Sequence, residues 1–140
     1  MRIVAALFIE DIDLQSVPGP ATRISLSGIQ FSAPAPGPLP VTIGPHLVVL
    51  TWNPPGGKEV AALEVVFSTD TSDDGDGDGD GDAEPLARNV QPVTIEAGKF
   101  SYQLIRPELT FDAHQTIVAR CRLDDGPVHL VPYTLLPPVR

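Results

Sequence analysis

The chain is 140 residues long, enough for one domain that buries its own core without metals or disulfides as staples. Sixteen prolines and twelve glycines argue against long helices, because Pro costs roughly 3 kcal/mol and Gly about 1 kcal/mol in a helix interior. The net charge of −9 excludes the clustered Lys and Arg that a nucleic-acid footprint needs.

In chain order, residues 2–9 form an apolar run of strand length. Both of its faces are apolar, which predicts a central strand. It runs straight into Glu10, Asp11 and Asp13 with no small-residue cleavage site, so it reads as a strand and not as a signal peptide. Residues 11–20, with Pro18-Gly19-Pro20, read as a loop. Residues 22–31 read as a second strand with a slip in phase. Ile24 and Leu26 share one face, Ile29 and Phe31 the other, and Ser27-Gly28 is the expected bulge between them. Residues 34–40 are a proline-rich connection.

Residues 46–52 form a third strand, ended by Asn53-Pro54-Pro55-Gly56-Gly57, with Trp52 read as a lid on the core. Residues 59–68 form a fourth, with Ala61, Leu63, Val65 and Phe67 alternating inward. Residues 69–85 are a low-complexity acidic stretch, expected to be a long disordered loop. Strands resume at 86–95 and at 99–105, where Phe100, Tyr102 and Leu104 share a face. Residues 115–123 place Ile117, Ala119, Cys121 and Leu123 inward and Thr116, Arg120 and Arg122 outward. Asp124-Asp125-Gly126 signals a hairpin turn. Residues 127–136 return from it, and Pro132, Pro137 and Pro138 predict that this last strand lies at a sheet edge.

This pattern predicts a single all-β domain over residues 1–140, an antiparallel β-sandwich of about eight strands. An immunoglobulin-like, a C2-like and a jelly-roll-like order all fit. The opening Val4-Ala5-Ala6-Leu7-Phe8-Ile9-Glu10-Asp11 resembles the start of a family of small uncharacterised bacterial single-domain proteins. So does Ile24-Ser25-Leu26-Ser27-Gly28-Ile29, followed by a proline-rich stretch and an apolar strand. The resemblance covers mostly the first 50 residues and implies a β-sandwich; it implies no activity, and the Asp-Gly run departs from it.

Residues 73–82 hold six Asp, alternating for most of the run with Gly, which is how calcium loops bring several carboxylates to one ion. Asp74, Asp76, Asp78, Asp80 and Asp82 are therefore the candidate metal ligands. An EF-hand reading fails at its twelfth position, where Ala87 stands in place of a bidentate Glu. The expectation is loose collection of calcium, no tight site and no cofactor. His46, His114 and His129 show no ligand spacing. Cys121, the only cysteine, lies on an inward face and reads as a small buried hydrophobe. No nucleophile elbow, phosphate loop or bilayer-length apolar segment is present.

These exclusions leave a non-catalytic interaction or accessory module of a bacterial cell. Arg exceeds Lys, and Ala, Pro, Gly, Val and Asp abound, as in GC-rich bacterial genomes. The lone cysteine fits a cytoplasmic setting. The expected partner is another protein or a second copy of the chain. Leu130, Tyr133 and Leu135 on the proline-broken final strand are the candidate interaction residues. Two alternatives stand beside this reading: a calcium-responsive binding domain using the Asp-Gly loop, and a structural subunit of a larger bacterial assembly.

Overall fold

The computed structural model describes residues 1–16, 23–69 and 85–139, which contain twelve strands and no helix. In chain order the strands are β1 (Arg2–Ile9), β2 (Asp11–Gln15), β3 (Arg23–Ser27), β4 (Ser32–Pro34), β5 (Val41–Ile43) and β6 (His46–Trp52). They continue as β7 (Val60–Ser68), β8 (Ala87–Thr94), β9 (Phe100–Ile105), β10 (Leu109–Phe111), β11 (Thr116–Leu123) and β12 (His129–Leu136). Each of the eight expected strands overlaps one of these twelve, although the one expected over residues 22–31 is strand only at Arg23–Ser27. The other four, β2, β4, β5 and β10, are three to five residues long; β2 falls in an expected loop, and the sequence pattern predicts no strand at β4, β5 or β10.

Besides the two-stranded sheets β10-β5 and β2-β3, one sheet is antiparallel with order β1-β6-β9 and the other has five strands in order β4-β12-β11-β7-β8. A single cluster of buried side chains draws on both. Phe8, Leu47 and Val49 come from the first, and Leu63, Val65, Phe67, Ile117, Tyr133 and Leu135 from the second. The ring of Phe8 lies 5.0 Å from that of Tyr133 and 6.5 Å from that of Phe67, both tilted. At the free edges, Gln91 Nε2 on β8 donates to Gln103 Oε1 on β9 over 2.8 Å, tying one sheet to the other. The β6–β9 ladder stops at Gly44-Pro45 and Pro107, then resumes as the β5–β10 ribbon, whose Val41, Leu109 and Phe111 join the same core.

Four expectations are corrected. The strand at residues 2–9 is not central: β6 is the middle strand of its sheet, and β1 has β6 on one side only along most of its length. Its second apolar face therefore has another cause, described below. Residues 11–15 are not loop but strand, because Ile12 and Leu14 alternate with Asp11 and Asp13. Ser27-Gly28 is not a bulge. Asp11 pairs with Ser27 and Phe8 bridges Gln30, so each chain spends the same number of residues between them. Gly28 takes a φ of 65°, and a Cβ there would lie 2.7 Å from the Glu10 side chain, so a glycine is required without any inserted residue. Finally, β12 is not an edge strand throughout, since β4 runs parallel to its last residues, Ser32 against Thr134. Thr134 N donates to Phe31 O on that side. By alternation the nitrogen of Pro132 points the same way, so its missing N–H is not taken from the β11 ladder. The expected Asp-Gly loop lies outside the described residues.

Asn53 fixes the end of β6. It is fully buried, its Nδ2 donates to Ile95 O over 2.7 Å, and its N donates to Lys99 O over 2.9 Å. Its own carbonyl accepts from Gly98 N over 2.6 Å. These bonds clamp the turn before β9 and hold Phe100 in register with Trp52. Replacing Asn53 by Ala leaves the Ile95 carbonyl without its donor, and is expected to cost about 1–3 kcal/mol in urea unfolding. Phe8→Ala empties the contact between the sheets and is expected to cost about 3–5 kcal/mol. Phe100→Ala, at a position 59% exposed, is expected to change the same midpoint little.

Candidate interaction face

Pleating sends alternate residues to opposite faces of a sheet. With Phe8, Leu47 and Val49 in the core, their neighbours must point away from it. The register collects those neighbours into rows across the first sheet. Arg2, Trp52 and Phe100 form one row; Ala5, Leu50 and Tyr102 the next; Leu7, Val48 and Leu104 the third. Val4 is the extra residue of a bulge between the first two rows and is 50% exposed. Beyond the third row, Ile9 pairs with His46 on one side. On its other side Ile29 flanks it, bracketed by Glu10 N bonding Gly28 O and Gln30 N bonding Phe8 O.

Outward positions of an antiparallel sheet are ordinarily polar. The five-stranded sheet keeps to this in part, setting Glu64, Arg88, Arg122 and Thr134 beside Val66, Val90, Val118 and Leu130 on its outward face. There Arg88 Nη2 stands 2.6 Å from Glu64 Oε2. The three-stranded sheet does not. Apart from Arg2 at one end and His46 at the other, its outward rows are aliphatic and aromatic, with no carboxylate among them. Trp52 and Phe100 stack with centroids 6.0 Å apart at 25°, and the Arg2 guanidinium lies 5.4 Å from the centre of the Trp52 ring. Val48, at the centre, is fully covered, hemmed by Leu7 and Leu104 at its sides. Phe100, Val4 and Ile29 open to water at its margins.

Trp52 is thus a stacking partner on this outward face and not a lid on the core. The sequence shows Phe100, Tyr102 and Leu104 on one side of a strand and Trp52 on another strand. Only the register puts the three aromatics side by side. The signal that was available is that residues 2–9 and 46–52 are apolar at both parities.

The expected interaction residues fall elsewhere. Tyr133 and Leu135 are 2% and 1% exposed and belong to the core, because alternation along β12 turns them inward with Val131. A docking role for them is thereby corrected. Leu130 is half-buried on the opposite face, paired in register with the buried Arg120. Asp74, Asp76, Asp78, Asp80 and Asp82 lie outside the described residues. Among the described residues no cluster of three or more His, Cys, Asp or Glu side chains is arranged around a common point. A cleft of about 520 Å³ opens beside the Arg2 end of the face, between Met1, Ile3, Pro127 and His129; Arg2 and His129 are its ionisable side chains. No helix among the described residues is long and apolar enough to cross a membrane. No family model, no curated protein and no solved structure matches the chain.

Cys121 lies fully buried among inward residues of β11, and burial pushes its thiol up to about 12. The unfolded chain releases that proton near 8.5, so the native state is favoured below this pH and loses stability as pH rises from about 9 toward 12. A thiol reagent at pH 8 is expected to leave the folded protein unmodified and to label it fully in denaturant. Stability measured against pH is expected to decline less steeply on the alkaline side in Cys121→Ala.

Proposed function

We propose that this chain is a β-sandwich interaction module of a bacterial cell, working by surface contact without covalent chemistry, and that the outward face of β1, β6 and β9 is its contact surface. The observation that carries this reading is the collection of Trp52, Phe100, Tyr102, Leu50 and Leu104 on a face that water would otherwise meet. Contiguous exposed apolar patches on monomers rarely exceed a few hundred Å² unless they bind something. From strand spacing and rise this face measures roughly 25 Å by 15 Å, with Val4, Ile29 and Phe100 exposed at its margins and Val48 and Ile9 buried within it. Aromatic side chains beside an arginine are the composition of contact hot spots. The buried, protonated Cys121 supports the non-catalytic part of the reading.

A photo-activatable cross-linking residue placed at position 100 in the native host tests it. Covalent capture of a protein is expected from position 100 and not from position 94, where Thr94 is exposed on the outward face of β8. Phe100→Lys is expected to leave the unfolding midpoint within about 0.5 kcal/mol of the parent while abolishing capture from a cross-linker at position 102. No capture from position 100, or equal capture from position 94, refutes the assignment of this face.

A further inference from the structure

Alternation along β12 sets His129 on the same side as Val131, Tyr133 and Leu135, which lie in the core. Its partner across the ladder is Cys121, fully buried. A basic side chain therefore stands at a position whose parity belongs to the interior, and it is half-buried there. Among the described residues it has no ion pair and no side-chain hydrogen bond. It lines the cleft of about 520 Å³ at this end of the sandwich, a size ordinary for small-ligand sites. One wall of the cleft is the start of β1, where Ile3 pairs with the buried Thr51. The other is the β11–β12 hairpin, with Leu123, Pro127 and Val128. Met1 and Ile3 rest against the core cluster, so packing holds these apolar walls in place.

The charged side chains of the cleft have one sign. Arg2 and His129 line it and no carboxylate does, on a chain whose net charge is −9. Of the two acids in the adjoining turn, Asp124 is engaged elsewhere, its Oδ1 accepting from Ala62 N over 2.9 Å, and Asp125 is exposed. Arg2 is exposed and pairs with no carboxylate; its guanidinium lies 5.4 Å from the centre of the Trp52 ring. A guanidinium resting on a ring keeps the donors along its edge free for an anion.

We infer that this cleft binds a small amphiphilic anion, an apolar chain ending in a carboxylate. The chain lies between Ile3 and the β11–β12 hairpin, and the carboxylate meets His129 and Arg2. The site stands at the end of the sandwich and is separate from the contact face proposed above. A cation finds no anionic side chain there. An uncharged chain leaves both basic groups without a partner, and a wholly polar anion leaves the walls uncovered.

Isothermal titration calorimetry at neutral pH with octanoate, hexanoate and octanol tests this. Octanoate is expected to bind one to one, with a Kd on the order of 100 µM for a ligand of its size. Hexanoate is expected to bind about tenfold more weakly, since two fewer methylenes are buried. Octanol keeps the chain and loses the charge, and is expected to bind at least about tenfold more weakly. Arg2→Gln and His129→Gln are each expected to weaken octanoate at least about threefold while leaving octanol unchanged. Val128→Trp fills the cleft from the hairpin and is expected to abolish binding in a protein whose thermal midpoint is that of the parent. Thr94→Trp, the same bulk on the exposed side of β8, is expected to leave it intact. No saturation by octanoate at a few millimolar, octanol as tight as octanoate, affinity indifferent to Arg2→Gln or to His129→Gln, or binding that survives in a folded Val128→Trp overturns the proposal. If Val128→Trp does not fold, the two charge variants and the octanol comparison decide it.

Discussion

The contact of Phe8 with Tyr133 and Phe67 is the constraint from which the rest of the molecule follows. It joins β1 of one sheet to β12 and β7 of the other, and it sets the phase of β1. Once Phe8 points inward, Leu7 and Ile9 have no choice but to point out. The same holds along β6, where Leu47 and Val49 inside leave Val48 and Leu50 outside. The apolar outer face is thus not a separate device added to the fold. It arises because β1 and β6 carry apolar residues at positions that their own core assigns to the solvent side.

The fold class was legible from the chain because alternation survives in single strands. Ala61, Leu63, Val65 and Phe67 sit inward as their spacing implies, and so do Ile117, Ala119, Cys121 and Leu123. What a single strand does not carry is which neighbour lies beside it. The prolines of the last strand read as an edge, but β4 reaches it from a hundred residues away with only three residues, too short to show a period. Tyr133 and Leu135 looked available for docking because their strand looked unprotected; parity with Val131 puts them in the core. The aromatic face was illegible for the same reason. Trp52 and Phe100 are separated by the whole of β7 and β8, and only hydrogen bonding between β6 and β9 makes them neighbours.

Gly28 and Asn53 show how few residues hold this arrangement at its two ends. Gly28 lets the chain pass close to Glu10 where β3 meets β1, which keeps the arm in phase with the body. Asn53 does the corresponding work at the other end, using three hydrogen bonds of one residue to align β9 against β6. Neither contributes an apolar side chain. Both act by deciding register, and register decides which rows form.

The parallel pairing of β4 with β12 has a consequence for how the molecule comes into being. Ser32 finds its strand partner in Thr134, and Phe8 finds the nearer of its two aromatic neighbours in Tyr133. During synthesis the early strands emerge roughly a hundred residues before the segment that completes them, and closing so long a loop is slow relative to local pairing. Until β12 leaves the ribosome, β1 and β6 expose both their core side and their outward side at once. A nascent chain in that condition is sticky on two faces, and its safe passage depends on the last strand arriving before a neighbouring chain does.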